Sequence, residues 1–92
     1  MTPEGKTKLR VKKLLAAHGA YWFMPVQNGL GAAGLDFHGC YKGRAFFIET
    51  KAGNKGPTPR QKHTMQTIEA AGGVCFLIND VTGLDMLERW LT

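Results

Sequence analysis

Apolar positions change their period along this chain, and each change marks an element. From about Lys6 to Ala17, Leu9, Leu14 and Leu15, with Val11 or Ala16, form a partial stripe at helical spacing, and lysines fill much of the rest. His18-Gly19 supplies a stop. Tyr21-Trp22-Phe23-Met24 then reads as a buried strand ended by Pro25, its rings expected in the core rather than as a stacking platform. Gln27 to Gly34 contains three glycines and predicts a loop that does not fit a phosphate-loop pattern. A hairpin around Lys42-Gly43 follows, then a mobile basic loop from Ala52 to Pro57. Thr58-Pro59-Arg60-Gln61 starts a second helix, with Thr58 as cap, Pro59 at the first helical position and Gln61 closing a capping box. This helix is expected to run to about Ala71 and stop at Gly72-Gly73. The unbroken apolar run Val74–Ile78 predicts a central strand covered on both faces. A short helix over Thr82–Leu91, apolar at Leu84, Leu87, Trp90 and Leu91, closes the chain. The order α-β-β-β-α-β-α predicts an α/β fold, a mixed four-stranded sheet with flanking helices and a right-handed crossover.

The hairpin carries the chemistry. With Lys42-Gly43 as the turn, Tyr41 faces Arg44, Cys40 faces Ala45, and Asp36 lands opposite Glu49. Directly opposed residues have Cβ atoms about 4.5–5.5 Å apart. Lys51 shares the strand face of Glu49, two residues on. Two carboxylates that close repel, and one is driven toward protonation unless a cation relieves the pair. Mg²⁺ is commonly held by one or two carboxylates, waters and phosphate oxygens. A lysine alongside adds positive charge where a phosphate would sit and can orient or deprotonate a water. This is a sensible kit for metal-assisted phosphodiester cleavage.

Composition sharpens the choice of partner. The 92 residues suffice for one domain, spanning 1–92, and the net charge of +5 favours a polyanion, nucleic acid before membrane. The longest apolar run is far too short to span a bilayer. Cys40 and Cys75 stand apart, without zinc or redox spacing, which suits a reduced, intracellular protein. His38 is a possible neighbour of the acidic pair but is better read as a non-ligand, while His18 and His63 read as exposed. Lys55, Arg60 and Lys62 flank the pair, as phosphate-binding residues or as a solvated basic face. Gln61 shares the inward face of Met65 and Ile68 and needs a partner. That partner is either the capping box or the acidic site, since one amide is not expected to serve both fully.

Taken together, Gly-x-Asp, Gly-Arg-x-x-x-Ile-Glu-x-Lys-Ala-Gly, Thr-Pro-x-Gln and Ala-Gly-Gly before an apolar strand resemble the VRR-NUC domain of the PD-(D/E)XK nuclease superfamily. The resemblance covers roughly residues 4–91 and is to the minimal stand-alone versions typical of phages. Leu35 stands where the family often has Pro. The resemblance implies a Mg²⁺- or Mn²⁺-dependent endonuclease in which Asp36, Glu49 and the main-chain carbonyl of Thr50 ligate the metal. It further implies that Lys51 is the catalytic lysine and that Gln61 is the helix-borne glutamine near the site. Glu4 matches an acidic residue some members carry, or is a first-turn acid favoured by the helix dipole. Stand-alone members resemble Holliday-junction-cutting enzymes, so branched DNA is the expected substrate. The alternatives are an RNA-directed nuclease and a non-catalytic nucleic-acid-binding module. A two-fold junction suits a homodimer. The apolar residues Trp22, Met24, Met86 and Trp90, least easily buried by a single small sheet, are the candidates for its interface, with core packing as the alternative.

Overall fold

The computed structural model describes residues 1–26 and 34–92. The elements follow in the order α1 (Pro3–Ala17), β1 (Tyr21–Phe23), β2 (Phe37–Tyr41), β3 (Arg44–Thr50), α2 (Pro59–Ala70), β4 (Val74–Ile78) and α3 (Leu84–Leu91). All four strands form one sheet in the order β1-β2-β3-β4. The first three are antiparallel and β4 is parallel to β3, so the sheet is mixed as expected. The loop predicted over Gln27 to Gly34 lies outside the described residues except for Gly34.

Both long helices begin with the same device. Thr2 accepts the Gly5 N–H at 3.0 Å with Pro3 in the first turn, and Thr58 accepts the Gln61 N–H at 3.2 Å with Pro59 in the first turn. α1 therefore starts at Pro3, ahead of the Lys6 that periodicity indicated. The first turn carries no apolar stripe, and only its cap announces it. α3 starts at Leu84 rather than Thr82, because Asn79 Oδ1 takes the N–H groups of both Val81 and Thr82 in a turn. In the hairpin, Lys42 and Gly43 both have positive φ, at 49° and 78°. This is the condition for a tight two-residue turn that matches strand twist. It sets the register Tyr41↔Arg44 through Phe37↔Ile48.

Side chains of one sheet face, Phe37, Phe46, Ile48, Phe76 and Ile78, bury against Val11 and Leu15 of α1 and Leu87 and Leu91 of α3. The Phe46 ring lies across Gly39, where an added Cβ would collide with that ring and with the Tyr21 carbonyl. The opposite face is covered by α2 over β3 and β4, through Met65 and Ile68, which are only half-buried.

Four expectations change here. β1 is an edge strand, not a buried one. Trp22 alone of its three residues turns inward, while Tyr21 and Phe23 are 66% and 46% exposed. β4 is also an edge strand rather than central. Its helix crossover returns it beside β3, whose other side β2 already occupies, although α2 and α3 still cover its two faces. Of the residues considered for a shared interface, Trp22, Met24 and Trp90 pack against the core. Only Met86 stands out, 61% exposed. The loop after β3, expected to be mobile, is tethered to the end of β4. Gly53 and Asp80 exchange two hydrogen bonds, and Asn79 Nδ2 donates to the Lys55 carbonyl at 3.0 Å. Among the described residues no helix is long and apolar enough to cross a membrane.

Candidate active site

Asp36 stands one residue before β2, and Glu49 is the penultimate residue of β3. Extending the observed register by one pair sets them opposite each other. Asp36 is fixed by the strand it faces. Its Oδ2 accepts the Thr50 N–H at 3.0 Å and the Thr50 hydroxyl at 2.7 Å. Thr50 is wholly buried, so these bonds occupy donors that have no access to water.

Glu49 is only 5% exposed. Its Oε2 accepts the Gln61 Nε2–H at 2.9 Å and lies 3.8 Å from Lys51 Nζ. Burial, and then the charge of Asp36, push its pKa up to about 7. Lys51 and the Asp36 N–H pull against that rise, and Glu4 adds to it. Near neutral pH this carboxyl is therefore divided between its two protonation states.

Gln61 does both of the jobs between which its sequence position seemed to divide it. Oε1 accepts the Thr58 N–H at 3.0 Å and closes the capping box, while Nε2 reaches Glu49. The two ends of one amide point opposite ways, so the cap orients the donor that the acid needs. This corrects the expectation that the two uses could coexist only partly.

Glu4 is brought toward the site from α1, close enough to act on Glu49, and its Oε2 pairs with Lys8 Nζ at 3.0 Å. Lys8 was not singled out from the sequence. Its pKa is raised: partial burial opposes the charge, but the Glu4 hydrogen bond and the fields of Asp36, Glu4 and Glu49 outweigh it. A lysine among the polar positions of a lysine-rich helix carries no local mark, and only docking of α1 beside β3 gives it this role. The Thr50 side chain and the Asn79-Asp80 pair were missed for the same reason. Asp80 accepts from Thr7 Oγ1 at 2.8 Å, Arg10 at 3.2 Å and the Gly53 N–H at 2.8 Å, joining α1 to the loop that follows Lys51. These bonds hold its carboxyl below the usual range.

Lys55, Arg60 and Lys62 are exposed and make no ion pair with Asp36 or Glu49 among the described residues. His38 Nε2 accepts the Leu35 N–H at 3.3 Å, and its ring meets Phe23 and Phe47 edge-on. Burial lowers its pKa, so it is a neutral packing residue that positions the approach to Asp36. His63 is exposed as expected, whereas His18 is half-buried beneath the end of α1. Burial raises the Cys75 thiol to about 11, which leaves it protonated and a poor nucleophile.

No group of three or more His, Cys, Asp or Glu able to hold a metal ion occurs among the described residues. Two acids and open coordination positions are instead the donor set that suits Mg²⁺. The described hydrogen bonds to Asp36 all use Oδ2, leaving Oδ1 for a cation. Burial first, and then the negative charge of Asp36, raise the pKa of Glu49.

A solved structure described as "VRR_NUC domain" superposes with a TM-score of 0.82 over 97% of this chain and 97% of that one, at 22% identity. The chain has the VRR_NUC fold. No family model matches the sequence, and no curated protein does. The VRR_NUC likeness therefore concerns architecture: the mixed sheet, the helix before it and the crossover helix that delivers Gln61. The chemistry must be argued from the site.

Proposed function

We propose that this chain is a metal-dependent nuclease that hydrolyses DNA phosphodiester bonds, with Mg²⁺ or Mn²⁺ as cofactor. The observation that carries the reading is the opposed pair Asp36 and Glu49, each held by a dedicated donor, with Lys51 3.8 Å from Glu49. A structural ion pair has no use for a second, half-buried acid beside the buried one, whereas a cation site does. Asp36 and Glu49, with the Thr50 carbonyl and with Glu4 through water, would hold the metal. Bound there, it would supply Lewis-acid polarisation of a phosphate oxygen and acidify water.

The chain's own residues do the rest. Thr50 keeps Asp36 turned toward Glu49, and Gln61 stops Glu49 from rotating away. Lys51 places positive charge where the phosphate's developing charge would lie and can take or return a proton at Nζ. No side-chain nucleophile is required, so water attacks directly. Lys55, Arg60 and Lys62, all exposed, would serve as phosphate anchors. Branched DNA is the proposed substrate, with two copies of the chain placing one site on each of two strands.

The test is a cleavage panel of duplex, single-stranded, flap and four-way DNA, with matched RNA, in Mg²⁺, in Mn²⁺ and in EDTA. Metal-dependent cutting of DNA, lost in Lys51→Ala while DNA affinity in Ca²⁺ falls only modestly, supports the reading. Binding without cleavage of any substrate would make this a binding module, and cutting confined to RNA would move the substrate class.

A further inference from the structure

Tyr21, Phe23, His38, Cys40, Ala45 and Phe47 lie on one face of the sheet, the face that also carries Glu49. α2 covers only the β3–β4 half of it. From the uncovered half the rings run as a continuous series onto β3: Tyr21 to Phe23 at 6.4 Å, Phe23 to His38 at 5.5 Å, and His38 to Phe47 at 5.0 Å between centroids. The outer rings are the exposed ones, Tyr21 at 66% and Phe23 at 46%. Beyond Phe47 the face continues into an open cleft of about 510 Å³ lined by Ala45, Phe47, Ile68 and Gly73. Phe47 precedes Glu49 by two residues, so the series ends about 7 Å along the strand from the acidic pair.

We infer that this shelf stacks an unpaired DNA base next to the phosphate being cut. The inference rests on the nuclease reading above and narrows its substrate to DNA with unstacked bases beside the cleavage point. Charge favours this occupant. None of the six shelf residues is acidic, the chain carries a net charge of +5, and Lys51 lies 3.8 Å from Glu49, further along the chain from Phe47. A strand crossing the site thus meets the Lys51 cation for its phosphate on one side of Glu49 and ring surfaces for its bases on the other. Exposed aromatic rings on a sheet are a sequence-tolerant surface for such bases, because every base has a π-face. A second copy of the chain is the competing occupant. A three-residue edge strand and a shelf that opens onto a reactive pair make it the poorer fit.

The experiment measures equilibrium binding, in Ca²⁺, of two DNAs with the same duplex and overhang length. One overhang carries normal bases and the other abasic sites. The wild-type chain should prefer the base-bearing DNA by about 5- to 100-fold, the range for stacking one base on an aromatic side chain. The Tyr21→Ala/Phe23→Ala variant should bring the ratio close to one. Tyr21→Leu/Phe23→Leu, which keeps apolar area and removes the rings, should do the same, with far-ultraviolet circular dichroism confirming the fold. Equal wild-type affinity for the two DNAs overturns the inference, as does a ratio that survives both variants. If the variants instead halve the sedimenting mass and leave the ratio alone, the shelf is a self-interface and the inference fails. A chain that binds and cuts duplex DNA without base preference fails this inference alone. One that binds no DNA fails the nuclease reading with it.

Discussion

Replacing Glu49 with Gln removes the cost of burying an ionised carboxylate beside Asp36. In the unfolded chain this carboxyl titrates at its ordinary value of 4.5, and in the folded protein at about 7. Between those pH values the native state holds a proton that the unfolded state lacks, so stability is highest below 4.5 and falls as pH rises through 7. At 1.36 kcal/mol for each tenfold in proton affinity, the loss is roughly 3 kcal/mol. That is a large share of what a domain of this size has. Glu49→Gln keeps an acceptor for Gln61 and carries no charge at any pH. It should match the wild type near pH 4.5 and exceed it by roughly 3 kcal/mol at pH 8.5, a melting temperature more than about 10 °C higher. Urea unfolding of both proteins in EDTA across this range measures the difference, and other titrating groups cancel. Mg²⁺ should restore the wild type at pH 8.5 and leave the Gln variant unmoved, because a cation binds only the native pair. Parallel stability curves for the two proteins from pH 4.5 to 8.5 would refute the reasoning.

Asp36→Ala removes the acceptor from the buried Thr50 N–H and hydroxyl, whereas Asp36→Asn keeps one and still relieves the like charge. At about 1–3 kcal/mol per stranded buried donor, the Asn variant should be the more stable by about 2 kcal/mol in urea unfolding, with cleavage lost in both. Gln61→Glu retains the acceptor for Thr58 but sets a third carboxylate on Glu49, so the pH–rate profile should move alkaline. Thr58→Ala should cost about 1 kcal/mol of stability and leave that profile in place. Asp80→Ala releases Gly53, Thr7 and Arg10 together, so amide exchange at Gly53 should accelerate and the melting temperature drop; unchanged exchange would show that the loop is held elsewhere.

What the sequence determined by itself was everything with a local cause. The Lys42-Gly43 turn admits one strand register, and counting outward from it pairs Asp36 with Glu49 before any coordinate is known. Thr58-Pro59 starts α2 because cap and proline act within a single turn, and the order of elements follows from where the apolar period changes. Tertiary structure decided what depends on neighbours distant in the chain. Val74–Ile78 reads as a central strand because both its faces are apolar, yet coverage of its faces does not reveal whether a strand lies beyond its edge. Tyr21 and Phe23 look like core residues for the same reason: hydrophobicity records that a ring resists water, not whether a helix is available to cover it. Gln61 could be assigned a cap from its own turn, but its second bond required α2 to dock over β3. Lys8 joined the acidic pair only because α1 packs with its first turns toward Asp36 and Glu49. Hydrogen bonds and caps within a turn are written in adjacent residues; charges that meet across the sheet are written in the packing of elements whose sequences never adjoin.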